Sequence, residues 1–78
     1  MKKHAHKTIL YSRDGCHLCD VAKKLLTEHG LQPEVIDIDN DPELAAQFNT
    51  CVPVVEIDGK IRFRGHVNRV LLRRLLKH

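Results

Sequence analysis

Aromatic residues are scarce in this chain, which has one Tyr, two Phe and no Trp among 78 residues. A core without large rings has to be assembled from Leu, Ile and Val. Binding of single-stranded nucleic acid stacks bases on aromatic side chains set among basic ones, and the lone Phe63 between Arg62 and Arg64 falls short of such a platform. The formal net charge of +3 is also too small to argue for a nucleic-acid surface. No apolar run is long enough to span a membrane. The basic start, Met1 to Lys7, is followed by only a short apolar run before Ser12-Arg13-Asp14, so no signal peptide is visible. A cytoplasmic location is the expectation, in a compartment where thiols stay reduced. Cysteines are few and odd in number; three do not make a framework of paired bridges. Acids disappear after Asp58, leaving Lys60, Arg62, Arg64, Arg69, Arg73, Arg74 and Lys77, which read as a solvated face complementing a helix dipole.

The composition present, 42% apolar and 29% charged, is that of a globular chain. Residues 1–78 are expected to form a single domain and a monomer, without repeats, linkers or low-complexity tracts. A first strand is predicted at Lys7–Tyr11, followed by the loop Ser12–Gly15. From about Cys16 to His29, Leu18, Val21, Ala22, Leu25 and Leu26 recur at helical spacing, and Gly30 stands at the C-cap. The second strand, Glu34–Asp39, carries Val35, Ile36 and Ile38, a run that suits a strand covered on both faces. Asn40-Asp41-Pro42-Glu43 opens a short helix ending near Phe48, with Asn49-Thr50 as its stop. Val54–Ile57 and Ile61–Phe63 flank Asp58-Gly59, a hairpin turn signal. Gly65 breaks the chain, and a last helix is predicted from about His66 to Leu76, with Val67, Val70, Leu71, Leu72, Leu75 and Leu76 apolar. The order βαβαββα gives an α/β domain: a right-handed parallel unit, then an antiparallel hairpin, in a four-stranded mixed sheet with helices on both faces.

Cys16-His17-Leu18-Cys19 falls where the first strand hands over to the first helix. The start of a helix carries partial positive charge and unpaired N–H groups, so a thiolate there is stabilised and its pKa drops below the free value of about 8.5. The offset of three residues sets Cys19 one turn from Cys16 on the same side, where a disulfide can close without unfolding. Cys16 is expected to be the more exposed sulfur and Cys19 the more buried. Arg13 and His17 flank the first sulfur, where a cation would lower its pKa further. No second C-x-x-C completes a zinc set, so no metal site is assigned. His4, His6, Cys51 and His66 are scattered candidates, and His4, His6, His29 and His78 read as surface. Pro53 stands at the entry to a predicted strand, where Pro is tolerated.

The order of elements, the C-x-x-C after the first strand, Val52-Pro53 before the hairpin and Gly65 before the last helix together resemble glutaredoxin. The resemblance is nearest to the short bacterial glutaredoxin-like proteins of the thioredoxin superfamily, and runs from about Lys7 to Leu76. It implies the thioredoxin fold, Cys16 as nucleophile and Cys19 as the resolving cysteine. Arg13 stands where glutaredoxins often carry a Lys. Val52-Pro53 matches a Thr-Val-Pro whose proline is cis, which would set the Val52 backbone opposite Cys16 to pair with a substrate backbone. Phe63 to Asn68 matches the Gly-Gly turn and helix start that hold glutathione, with Gly65 retained. Arg13, His17, Val52, Pro53 and Gly65 are thereby implied as substrate-binding residues. The sequence departs from the pattern at His17-Leu18 for Pro-Tyr, at Cys51 for Thr, at one Gly for two, and at Asn68 for Asp.

The expected activity is reversible dithiol–disulfide exchange on protein or small-molecule disulfides through Cys16 and Cys19. It needs no cofactor. Glutathione is a candidate co-substrate, and glutathione or a thioredoxin-reductase-type protein the candidate reductant. Two other readings stand beside it. One is a metal- or iron–sulfur-binding module on Cys16, Cys19 and Cys51. The other is a non-catalytic interaction domain whose basic tail meets an acidic partner, since fold alone does not settle function. Cys51 itself can be a small buried hydrophobe, a third redox thiol or a third ligand.

Overall fold

The structure, a computed structural model, describes residues 6–49 and 51–76. His4, Thr50, Lys77 and His78, read above as surface or helix-end positions, lie outside these residues. Strands β1 (Thr8–Ser12), β2 (Glu34–Asp37), β3 (Val54–Ile57) and β4 (Lys60–Arg64) alternate with helices α1 (His17–Glu28), α2 (Pro42–Phe48) and α3 (Arg69–Leu76) in the expected βαβαββα order. The strands lie side by side as β2-β1-β3-β4. β1 pairs with β2 in parallel and with β3 antiparallel, and β4 pairs antiparallel with β3. This four-stranded mixed sheet with three helices is the thioredoxin fold.

Two apolar layers sandwich the sheet. On one side α1 and α3 bury Ala22, Leu25, Leu26 and Leu72 against Leu10, Val55, Ile57 and Phe63. Ile38, Phe48 and Val54 form a smaller cluster, extended by Tyr11, Leu44, Cys51 and Val52. Each fully buried aliphatic side chain contributes about 1.5–3 kcal/mol relative to exposure, so the first layer dominates stability.

The turn signals hold. Asp58 and Gly59 both take positive φ (53° and 85°), as a two-residue hairpin turn requires. Gly30, at φ 85°, follows the α1 C-cap residue His29 and donates to the Thr27 carbonyl at 3.0 Å. Four expectations are corrected. β2 stops at Asp37, and Ile38–Asn40 turns as a short 3-10 segment because the Asp37 carboxylate accepts from the Asp39 N–H at 2.9 Å and draws the chain into a turn. β2 is an edge strand, not one covered on both faces: Val35 is 45% exposed, and seven-residue α2 is too short to cover it. α3 begins at Arg69 rather than His66, since Asn68 caps it, its Oδ1 accepting from Leu71 N–H at 3.0 Å. Leu18, Val21, Val70 and Leu71 are exposed, because a helix lying on a sheet buries only one arc of its surface.

Candidate active site

The site starts from a local conflict between two backbones. β1 ends at Ser12, and α1 begins at His17, so residues 13–16 must reverse the chain within one turn. Gly15 takes φ 77° there, and the Cys16 N–H donates to the Arg13 carbonyl at 3.2 Å. Cys16 is left as the N-cap of α1, in extended conformation (φ −88°, ψ 106°). An N-cap side chain normally offers oxygen to the first free N–H groups. Here the acceptor is sulfur: the Cys19 N–H donates to Cys16 Sγ at 3.1 Å.

Cys16 and Cys19 form a disulfide, with Cα atoms 5.2 Å apart. Cys16 is half-buried and Cys19 is 4% exposed, matching the expected difference in access. When the bond is reduced, the α1 dipole and the Cys19 N–H favour negative charge on Cys16. Cys19 lies one turn in, packed among core residues, and gains less from the helix end. The arrangement therefore supplies an accessible, stabilised sulfur and a second sulfur within bonding reach of it.

Val52-Pro53 is a cis peptide bond, as the resemblance implied. Pro53 is buried, and its carbonyl accepts from the Gly65 N–H at 2.7 Å. This ties the segment before β3 to the turn after β4. Among the described residues, neither the N–H nor the carbonyl of Val52 makes a backbone hydrogen bond, so both remain able to pair with an extended chain. Gly65 sits at φ 76°, and together with His66 and Val67 it faces Leu18, Val21, Ala22 and Leu25 of α1 across a narrow cleft. His17 is exposed beside the disulfide at the first position of α1.

Arg13 has other partners than the sulfur. Its Nε and one terminal nitrogen donate to the two carboxylate oxygens of Asp39, both at 2.9 Å. Its terminal nitrogens also donate to the Asn49 carbonyl and to Asn49 Oδ1, again at 2.9 Å. The hydrogen bonds from Arg13 hold the Asp39 carboxyl below its ordinary pKa, and Asp39 in turn raises that of Arg13. The Arg13 guanidinium is thus engaged in a bidentate ion pair with Asp39 and in hydrogen bonds to Asn49. Sequence reasoning missed Asp39 and Asn49 as parts of the site. They lie 26 and 36 positions from Arg13, with no motif linking them.

Cys51 is free and half-buried, packed with the cluster of Ile38, Phe48 and Val54. Its N–H donates to the Phe48 carbonyl at 2.9 Å. Among the described residues, no three of His, Cys, Asp and Glu come together as a group that could hold a metal ion. His6 Nδ1 lies 2.7 Å from Asp58 Oδ2. Among the described residues, no helix is long and apolar enough to cross a membrane.

Comparison with known proteins bears on this geometry. A family model described as glutaredoxin-like domain (DUF836) matches residues 7–77. Glutaredoxin-C10 of Arabidopsis thaliana is 42% identical over 55 residues, which make up 69% of this chain and 36% of that protein. The match thus spans little more than a third of the relative's length. Among solved structures, protein Ne2328 from Nitrosomonas europaea aligns with a TM-score of 0.79 at 25% identity, over 99% of this chain and 98% of that one. Protein XcR50 from X. campestris aligns with a TM-score of 0.75 at 32% identity, over 88% and 93%.

Proposed function

The chain belongs to the glutaredoxin-like family of the thioredoxin superfamily, and from that premise we propose that it acts as a dithiol–disulfide oxidoreductase with Cys16 as nucleophile and Cys19 as resolving thiol. One observation carries the reading: the two sulfurs are bonded at the tip of α1, with the Cys19 N–H aimed at Cys16 Sγ at 3.1 Å.

The reaction begins with the reduced pair. The Cys16 thiolate attacks one sulfur of a substrate disulfide, forms a mixed disulfide, and releases the first substrate thiolate, which takes up a proton. Cys19 loses its proton and attacks Cys16 Sγ, breaking the mixed disulfide and releasing the second substrate thiolate. The substrate gains two electrons, and the protein is left with the Cys16–Cys19 bond seen in the structure. A thiol reductant, glutathione or a reductase-type dithiol protein, returns the pair to the starting state. The same helix-end stabilisation that activates Cys16 as a thiolate makes it the better leaving group in that return step. In this cycle Val52, whose backbone groups make no backbone hydrogen bond among the described residues, pairs with the extended peptide of a protein substrate. Such a cycle suits a monomer in the cytoplasm, where the thiol pool supplies the electrons.

Alkylation of the reduced protein across pH, read cysteine by cysteine by mass spectrometry, tests this. Cys16 is expected to react as a thiolate well below pH 8.5, the ordinary value of about that size. A Cys16 that titrates like a free thiol would refute activation by the helix.

A further inference from the structure

Arg13 lies three residues before Cys16, and its guanidinium is taken up by partners distant in sequence. Its carbonyl accepts the Cys16 N–H, so its backbone is fixed to the nucleophile. Its side chain reaches Asp39, just after β2, and both the backbone and the side chain of Asn49, at the end of α2. Asn49 is three residues before Val52. On the far side, Pro53 is held by the Gly65 N–H at 2.7 Å. Val52 is thus suspended between two anchors.

We propose that Arg13 is a positioning residue: with Asp39 and Asn49 it forms a strut that sets the Val52-Pro53 segment at a fixed offset from Cys16. The role rests on the exchange reading of the site. A guanidinium suits it because its planar fork grips a carboxylate through two bonds and still has donors for Asn49; a Lys ammonium, a point charge, cannot hold both in one geometry. The pair is partly exposed, with side-chain exposures of 31% for Arg13 and 48% for Asp39. Exposed ion pairs contribute little to global stability. The strut therefore acts on local placement more than on unfolding, and this separates it from a merely structural contact.

The test uses the full chain as wild type, Arg13→Ala, Arg13→Lys and Asp39→Asn. With the Cys16–Cys19 bond kept oxidised, Cys51 serves as a reporter of the segment, through its rate of alkylation and the amide exchange of residues 51 and 52. Arg13→Ala is expected to accelerate Cys51 alkylation about tenfold, and to raise KM for a peptide disulfide by a similar factor with a smaller loss in kcat. Arg13→Lys is expected to resemble Arg13→Ala, and Asp39→Asn to fall between it and wild type. Thermal midpoints should move little. Cys51 alkylation and amide exchange within about twofold of wild type in both Arg13→Ala and Asp39→Asn would overturn the strut. Should Arg13→Ala fail to fold, the near-isosteric Asp39→Asn carries the comparison alone. A wild type that reduces no peptide disulfide would sink the oxidoreductase reading, while the Cys51 reporter still decides the strut.

Discussion

Two exposed aspartates act at opposite corners of the molecule, and both are held ionised by what they accept. Asp58 takes hydrogen bonds from His6 Nδ1 at 2.7 Å and from the Lys7 N–H at 2.9 Å, which lower its pKa. Asp39 is lowered by the hydrogen bonds from Arg13. A carboxyl whose folded pKa lies below its unfolded value, about 3.9, stabilises the fold above that pH, and the contribution is lost as pH falls through the folded value. The urea midpoint should therefore drop on acidification below about pH 4, and drop less in an Asp39→Asn/Asp58→Asn double variant. Parallel slopes in the two proteins would contradict this. At this scale the sequence was informative only over short separations. Cys16 and Cys19 could be paired because one helical turn joins them. Chain proximity set Arg13 beside the sulfur but could not show which side chains its guanidinium grips. Its actual partners come from the strand crossover and the end of α2, which no local pattern encodes.

Helices and strands were easier to read than the extent of their buried faces. Capping chemistry marked their ends: Asp41 accepts from the Glu43 N–H at 2.9 Å ahead of Pro42, and the Asp58-Gly59 turn formed as expected. Periodicity found α1 and α3 but could not say how wide an arc the sheet would cover. In α1, Leu26 is 0% exposed while Val21 is 49% exposed, although both belong to the same apolar pattern. The two positions should respond differently. Leu26→Ala is expected to cost about 2–5 kcal/mol by loss of burial and the cavity left behind. Val21→Ser should stay within about 0.5 kcal/mol, as for an ordinary surface site. Equal losses in chemical denaturation would mean that α1 is rotated from the packing described here. The β2 run misled for a related reason: Val35 and Ile36 looked like a central strand, and only the strand order shows an edge.

Across the whole molecule, charge follows the sheet. Edge strand β2 and the segment leading into α2 carry Glu34, Asp37, Asp39, Asp41 and Glu43, while the opposite edge, β4 with α3, carries Arg62, Arg64, Arg69, Arg73 and Arg74. All five of those arginines are exposed, as the solvated-face reading expected. The thioredoxin fold was legible because its landmarks are local: a C-x-x-C at a helix start, a Pro before a hairpin and a Gly after it. In the proposed cycle, the first sulfur captures one half of a disulfide and its neighbour releases it. Removing the neighbour should freeze the cycle halfway. Reduced Cys19→Ser protein, mixed with a peptide disulfide and digested for mass spectrometry, is expected to carry one peptide half on Cys16 as a stable mixed disulfide, with Cys51 unmodified. Adducts shared between Cys16 and Cys51, or no adduct at all, would contradict the account.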